Sequence, residues 1–112
     1  QYGPWDVILD DASHISPFTI ESFKAYWQYL KPGGLYIVED LEVSYHLDWW
    51  GNPDPDRAGA GGPTIMQFLK GLTDDVHYKH GGGGPNRLRI AGGRIESMAF
   101  YPGMCIVEKA AV

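Results

Sequence analysis

Apolar residues fall along this chain in short continuous runs and in helical stripes. Trp5-Asp6-Val7-Ile8-Leu9 is nearly continuous and is closed by Asp10-Asp11, which predicts an interior strand, buried on both faces of a parallel sheet. Ser16-Pro17 supplies an N-cap followed by proline in the first turn, and Ile20, Phe23, Trp27 and Leu30 recur on one face, so a helix is expected over 16–30. Lys31-Pro32-Gly33-Gly34 stops it, and Leu35-Tyr36-Ile37-Val38 reads as a second strand closed by Glu39-Asp40. Strand, helix and strand of these lengths make one βαβ unit with a right-handed crossover. Residues 41–63 turn to Gly, Pro, Asp and aromatics, a loop long enough to suggest function or mobility. Thr64 and Gln67 have the spacing of a capping box, and Ile65, Phe68, Leu69, Leu72 and Val76 supply a second stripe, predicting a helix over 64–77. Glycines 81–84 follow that helix and precede no phosphate-binding lysine, so they read as a flexible connection and not a phosphate cradle. Ile95–Tyr101 and Met104–Lys109 are strand-like and are separated by Pro102-Gly103, the chemistry of a hairpin turn. The order β-α-β-loop-α-β-β, without repeats or a dividing linker, describes one α/β domain.

Composition narrows the partners. In 112 residues there are 9 Lys and Arg against 14 Asp and Glu, a formal charge of −5. Without a basic cluster, the chain lacks the field that nucleic acid or an anionic membrane would need. No apolar run reaches the roughly 18 residues of a membrane span, and the amino end shows no basic-then-apolar secretory pattern, so a cytoplasmic protein is expected. The single cysteine, Cys105, excludes an intramolecular disulfide and a thiolate zinc site, and reads as a small core hydrophobe. The chain opens on Gln1 with an apolar strand almost at once, from which a missing true start is expected.

The candidate chemistry sits at the strand ends. In an open parallel sheet the ligand crevice lies outside the carboxyl ends of the strands, and here both strands end in paired acids, Asp10-Asp11 and Glu39-Asp40. Acids there can simply cap helices or solvate a loop. Two pairs joined by one crossover favour a bound divalent cation, because crowded like charges need compensation. All-oxygen ligation points to Mg²⁺, Mn²⁺ or Ca²⁺ over zinc. His14, three residues after Asp11, is placed on the same rim as a candidate general base, since a neutral imidazole takes a proton near pH 7. His46 lacks a comparable setting, and His77 and His80 read as solvated helix-end residues.

Asp10-Asp11-Ala12-Ser13-His14, the helix with Phe23, the run from Leu30-Lys31-Pro32-Gly33-Gly34 through Val38-Glu39-Asp40-Leu41, and Ser44-Tyr45 resemble the carboxyl half of class I S-adenosylmethionine-dependent methyltransferases. The likeness is strongest to the metal-dependent sugar O-methyltransferases of macrolide biosynthesis, the mycinamicin and macrocin type. Met98-Ala99-Phe100-Tyr101 and Ile106-Val107-Glu108-Lys109 look like that family's closing hairpin. The resemblance implies a Rossmann-like methyltransferase fold, represented here by a partial domain over 1–112, with S-adenosylmethionine and Mg²⁺ as cofactors. It implies Asp11, Glu39 and Asp40 as metal ligands and His14 as the base. Asp10 is left to shape the loop or approach the cofactor. The acceptor would be a hydroxyl of a sugar or other small natural product, glycosylated or not, and Tyr45, Trp49 and Trp50 would either stack on a sugar face or pack the loop onto the domain. His46 stands where that family often has an aromatic, and the Trp49-Trp50-Gly51 loop is this chain's own. The glycine-rich turn and acidic residue that hold the cofactor in this fold would precede Gln1, so the 112 residues alone are expected to be inactive. A homo-oligomer is left open. Two rival readings keep the same fold: a metal site for phosphoryl transfer or hydrolysis, and a non-catalytic Rossmann-like binding domain.

Overall fold

A computed structural model of the chain describes residues 4–11, 14–77 and 90–111. Strand β1 is Trp5–Asp10, helix α1 Ser16–Tyr26, strand β2 Leu30–Val38, helix α2 Ile65–Gly71, helix α3 Thr73–Val76, strand β3 Ile95–Tyr101 and strand β4 Met104–Lys109. They form a four-stranded sheet in the order β1-β2-β4-β3. β1 pairs parallel to β2, with Leu9 opposite Ile37 and Asp10 opposite Val38. β2 pairs antiparallel to β4, and β4 to β3. The Pro102-Gly103 hairpin closes as expected, Tyr101 facing Met104, with Gly103 at φ 74° in the position that a type II turn reserves for glycine.

One face of the sheet carries the core. Phe23 of α1 lies 4.5 Å from the Tyr36 ring, 5.3 Å from Trp27 and 5.6 Å from Phe68 of α2. Val38, Leu69, Leu72, Cys105 and Val107 are buried around them, so Cys105 is the core residue it was read to be. The opposite face is left open among the described residues: Val7 is 52% and Leu9 56% exposed. The expectation that β1 is interior and buried on both faces is therefore not met among the described residues, where β1 pairs with β2 alone and α1 and α2 cover one side.

Helix 16–30 is also corrected. It ends at Tyr26, passes through a 3₁₀ turn over Trp27–Tyr29 and gives way to β2 at Leu30. The cause is distant: buried Lys109 donates from Nζ to the carbonyls of Trp27 at 2.9 Å and Leu30 at 2.8 Å. A cation thus satisfies backbone acceptors that another helical turn would have used. The expected Ser16 cap is not made. Ile15 is the N-cap residue, and the buried Ser16 hydroxyl accepts instead from the Ile65 amide at 2.9 Å, at the start of α2. Strand β2 begins earlier than the apolar run, with Lys31-Pro32-Gly33-Gly34 looped out as an irregularity between the pairs Trp5–Leu30 and Val7–Leu35.

The 64–77 helix is divided at Leu72. Its capping box forms as read, Gln67 N–H donating to Thr64 Oγ1 at 3.1 Å and Thr64 N–H to Gln67 Oε1 at 3.0 Å. Beyond Gly71, the Thr73 hydroxyl donates to the Lys70 carbonyl at 2.7 Å, local competition that interrupts a helix. Segment 41–63 is more ordered than a plain loop, with 3₁₀ turns over Leu41–Tyr45 and Leu47–Trp49 and a Gly59–Gly62 bridge. His77 is exposed, as expected. His80 and glycines 81–84 lie outside the described residues.

Candidate active site at the strand ends

Strands β1 and β2 finish level with one another, and the Glu39 amide donates to the Asp10 carbonyl at 3.0 Å. The chain then turns sharply. Asp40 has φ 57° and ψ 39°, a left-handed conformation that costs a non-glycine residue on the order of 1–2 kcal/mol and tends to persist at functional sites. It is pinned on either side, since Leu41 N–H donates to Gly103 O at 3.0 Å and Val43 N–H to Asp40 O at 3.2 Å. The hairpin turn therefore helps to hold the acid in place.

His14 meets Asp40 from the other side of the rim. Its Nδ1 stands 3.8 Å from Asp40 Oδ2, both side chains 42% exposed, and its ring lies 5.2 Å from that of Trp49. These residues share a cavity of about 270 Å³ with Glu42, Val43 and His46. A second, of about 510 Å³, is walled by Glu39, Asp40, Glu42 and Gly103. Asp10 sits deeper, where its Oδ2 accepts from the Tyr36 hydroxyl at 3.2 Å. Burial, and then the negative charge and hydrogen bond of Asp10, push the Tyr36 phenol well above its ordinary value. That bond ties Asp10 to the floor of the sheet.

The expected site residues are thus brought together in part. His14 and Asp40 face each other, Glu39 and Asp40 share one cavity, and exposed Asp11 continues β1 on the same rim. Among the described residues, however, no three His, Cys, Asp or Glu side chains stand close enough to hold one ion. The donor set is all oxygen, the chemistry that suits Mg²⁺, but its three carboxylates are not gathered around one point in this structure. Of the loop aromatics, Trp49 lines the His14 cavity. Tyr45 lines a separate cleft beyond Glu42, and Trp50 packs over Gly61. Sequence reasoning missed Glu42 and set His46 aside. Their one signal was position, two and six residues past Asp40 on the turn that the acid begins.

No family model matches the chain. Individual proteins do. Over 110 residues it is 37% identical to the 8-demethyl-8-alpha-L-rhamnosyl tetracenomycin-C 2'-O-methyltransferase of Streptomyces olivaceus, covering 97% of this chain and 28% of that protein. Over 110 residues it is 33% identical to the mycinamicin VI 2''-O-methyltransferase of Micromonospora griseorubida, covering 97% and 27%. The chain is a homologue of sugar O-methyltransferases. The solved structure of MycE methyltransferase from the mycinamycin biosynthetic pathway, in complex with Mg, SAH and mycinamycin VI, matches it with a TM-score of 0.83 at 31% identity, over 97% of this chain and 27% of that one. As a sugar O-methyltransferase homologue it therefore has part of a Rossmann-like methyltransferase fold, and it spans 28% or less of the length of these relatives.

Proposed function

We propose that the protein carrying this chain transfers a methyl group from S-adenosylmethionine to a hydroxyl of a glycosylated small molecule, and that this chain provides its metal-ligating and acceptor-facing part. The observation that carries the reading is His14 poised 3.8 Å from a strained, pinned Asp40 at the strand ends of a sugar O-methyltransferase homologue. Asp11, Glu39 and Asp40 would hold Mg²⁺. When bound, that ion lowers the pKa of a hydroxyl beside it, and the sulfonium cofactor supplies the methyl group. His14 turns Nδ1 toward Asp40, which leaves Nε2 to take the proton from the acceptor hydroxyl. Trp49 shields the imidazole on one side. Asp10, bound to Tyr36, fixes the end of β1 against which the acceptor is positioned.

The phosphoryl-transfer alternative wants cations at this rim, whereas Lys31 pairs with Asp6 at 3.3 Å and Arg57 with Asp54 at 3.5 Å, both away from the strand ends. The acidic balance speaks against a nucleic-acid partner. A free, buried Cys105 suits a reducing cytoplasm. No helix among the described residues is long and apolar enough to cross a membrane.

The test uses the protein expressed from its own gene. Glu39→Ala or Asp11→Ala should abolish methyl transfer, and chelator should do the same to the unmutated enzyme. His14→Ala should lower kcat by about 100-fold or more while the affinity for S-adenosylmethionine stays within twofold. Full activity in excess EDTA overturns the metal, and unchanged turnover in His14→Ala overturns the base.

A further inference from the structure

The segment that follows Asp40 is built around a second strained turn. Among the described residues, Asp40 and Trp50 are the two that are not glycine and have positive φ, and Trp50, at φ 63° and ψ 23°, is the bulkier. A left-handed conformation brings the Cβ of such a residue too close to the following carbonyl, so its surroundings must hold it there. Three backbone bonds do so: Trp50 N–H donates to Leu47 O at 3.1 Å, Gly51 N–H to His46 O at 2.9 Å and Asn52 N–H to Ser44 O at 2.8 Å. Gly51 is buried, and a Cβ on it would run into the Val43 and Ser44 carbonyls. A Cβ on Gly61 would come within 2.6 Å of Pro17 Cγ and 2.9 Å of Trp50 Cε3, so the Trp50 ring and the first turn of α1 meet over a residue that has no side chain. Buried Ser44 accepts from the Met66 amide at 3.3 Å, which ties the same segment to α2.

What this turn sets is Trp49. The 3₁₀ turn over Leu47–Trp49 stops at the left-handed residue, and Trp49, 45% exposed, is not spent on the core. Its ring lies 5.2 Å from that of His14 at an interplanar angle of 53°, the geometry of a tilted aromatic pair. On its Nδ1 side the imidazole meets Asp40, but 3.8 Å between Nδ1 and Oδ2 is too long for a hydrogen bond. An attraction without that directionality does not fix the rotation of a ring. We infer that Trp49 is a positioning residue for His14: its ring restricts rotation of the imidazole about the Cβ–Cγ bond, so that Nε2 keeps one direction in the cavity that both residues line. The assignment rests on the methyltransferase reading above, in which His14 takes the acceptor's proton, and deepens it by giving the base an orienting partner. A proton-transfer group held in one orientation avoids the cost of finding it at each turnover. Trp49 thereby leaves the set of sugar-stacking aromatics, because its ring is engaged with the imidazole. The strained turn at Trp50 is what stops the segment with the indole at the rim.

The experiment uses the protein expressed from its own gene, with its histidines isotope-labelled at Cε1 for nuclear magnetic resonance. Spectra are recorded without metal, cofactor or acceptor at about pH 9, above the ordinary imidazole range, so that protonation does not enter. His14→Gln identifies the His14 signal by its loss. Trp49→Leu should remove the ring-current shift and move that signal to the position of a solvated imidazole, whereas Trp49→Phe, which keeps an aromatic ring, should leave it displaced. In methyl-transfer assays Trp49→Leu should lower kcat about tenfold and leave KM for the acceptor within twofold, and Trp49→Phe should recover most of kcat. A His14 signal that stays in place in Trp49→Leu overturns the assignment and leaves Trp49 a loop-packing residue. A loss carried by KM alone overturns it in favour of sugar stacking. The base is judged separately: unchanged turnover in His14→Ala ends the catalytic reading of the imidazole, whatever Trp49 does to its signal.

Discussion

Burial sets the chemistry of single side chains in this molecule, and it does so with a sign that can be measured. Cys105 lies at zero exposure, and burial pushes its thiol from an ordinary 9.0 up to about 12. Tyr36 is displaced in the same direction by burial and then by Asp10. An acid whose folded pKa is raised keeps its proton in the native state after the unfolded chain has lost it. The native state then binds more protons, so stability falls as pH rises. For Cys105 the window opens near 9 and closes near 12, and the slope approaches about 1.4 kcal/mol per pH unit. Lys109, whose ammonium is held below its ordinary value by desolvation, acts in the opposite sense, so the thiol has to be isolated by difference. Denaturant unfolding of the unmutated protein and Cys105→Ala at pH 7, 9, 10 and 11 should show the gap between them shrinking, in favour of the variant, only above pH 9. A gap independent of pH would mean that the thiol titrates freely. That Cys105 is buried was legible, because it sits in an apolar strand. That Lys109 is buried was not: a lysine ending a strand looks solvated until the carbonyls of Trp27 and Leu30 are known to face it.

Among the elements, local grammar was read well and its long-range use was not. The Pro102-Gly103 hairpin and the Thr64–Gln67 capping box depend on residues no more than three positions apart, and both formed as their chemistry dictates. Ser16 has the same capping chemistry, yet its hydroxyl serves an amide 49 positions away, which no window of neighbours reveals. The two hydroxyls therefore converge on the first turn of α2, one within the helix and one from α1. Thr64→Ala should cost about 1 kcal/mol, with Thr64→Ser recovering most of it. Ser16→Ala leaves the Ile65 amide without that acceptor, and should cost about 1–3 kcal/mol. Chemical denaturation of the single and double variants checks this, and a double-variant loss clearly different from the sum would report coupling between the two caps. The acids followed the same division. Their arrival at one rim was legible from strand ends joined by a crossover, whereas the left-handed turn at Asp40, and with it the placing of Glu42 and His46, depends on contacts with the distant hairpin.

At the scale of the whole chain, the described residues cover the sheet on one side. α1 and α2 lie over Tyr36, Val38, Cys105 and Val107, while Val7 and Leu9 of β1 remain more than half exposed on the other face. The outer edge of β1 adds a groove of about 380 Å³ lined by Trp5, Val7, Ile8 and Tyr26. Open apolar faces and unpaired strand edges each invite association, and among the described residues the same six-residue strand offers both. The polar Asp6–Lys31 pair at 3.3 Å is exposed, and a surface ion pair contributes about 0–1 kcal/mol, too little to offset burying two aliphatic side chains against another molecule. A polypeptide of residues 1–112 produced alone should therefore self-associate, with weight-average mass rising with concentration in analytical ultracentrifugation. Val7→Lys combined with Leu9→Lys should shift it toward monomer without loss of far-ultraviolet helix signal, since both side chains point away from the Phe23 core. A monomer at every concentration in the unmutated polypeptide would show that one covered face is enough to keep this sheet apart.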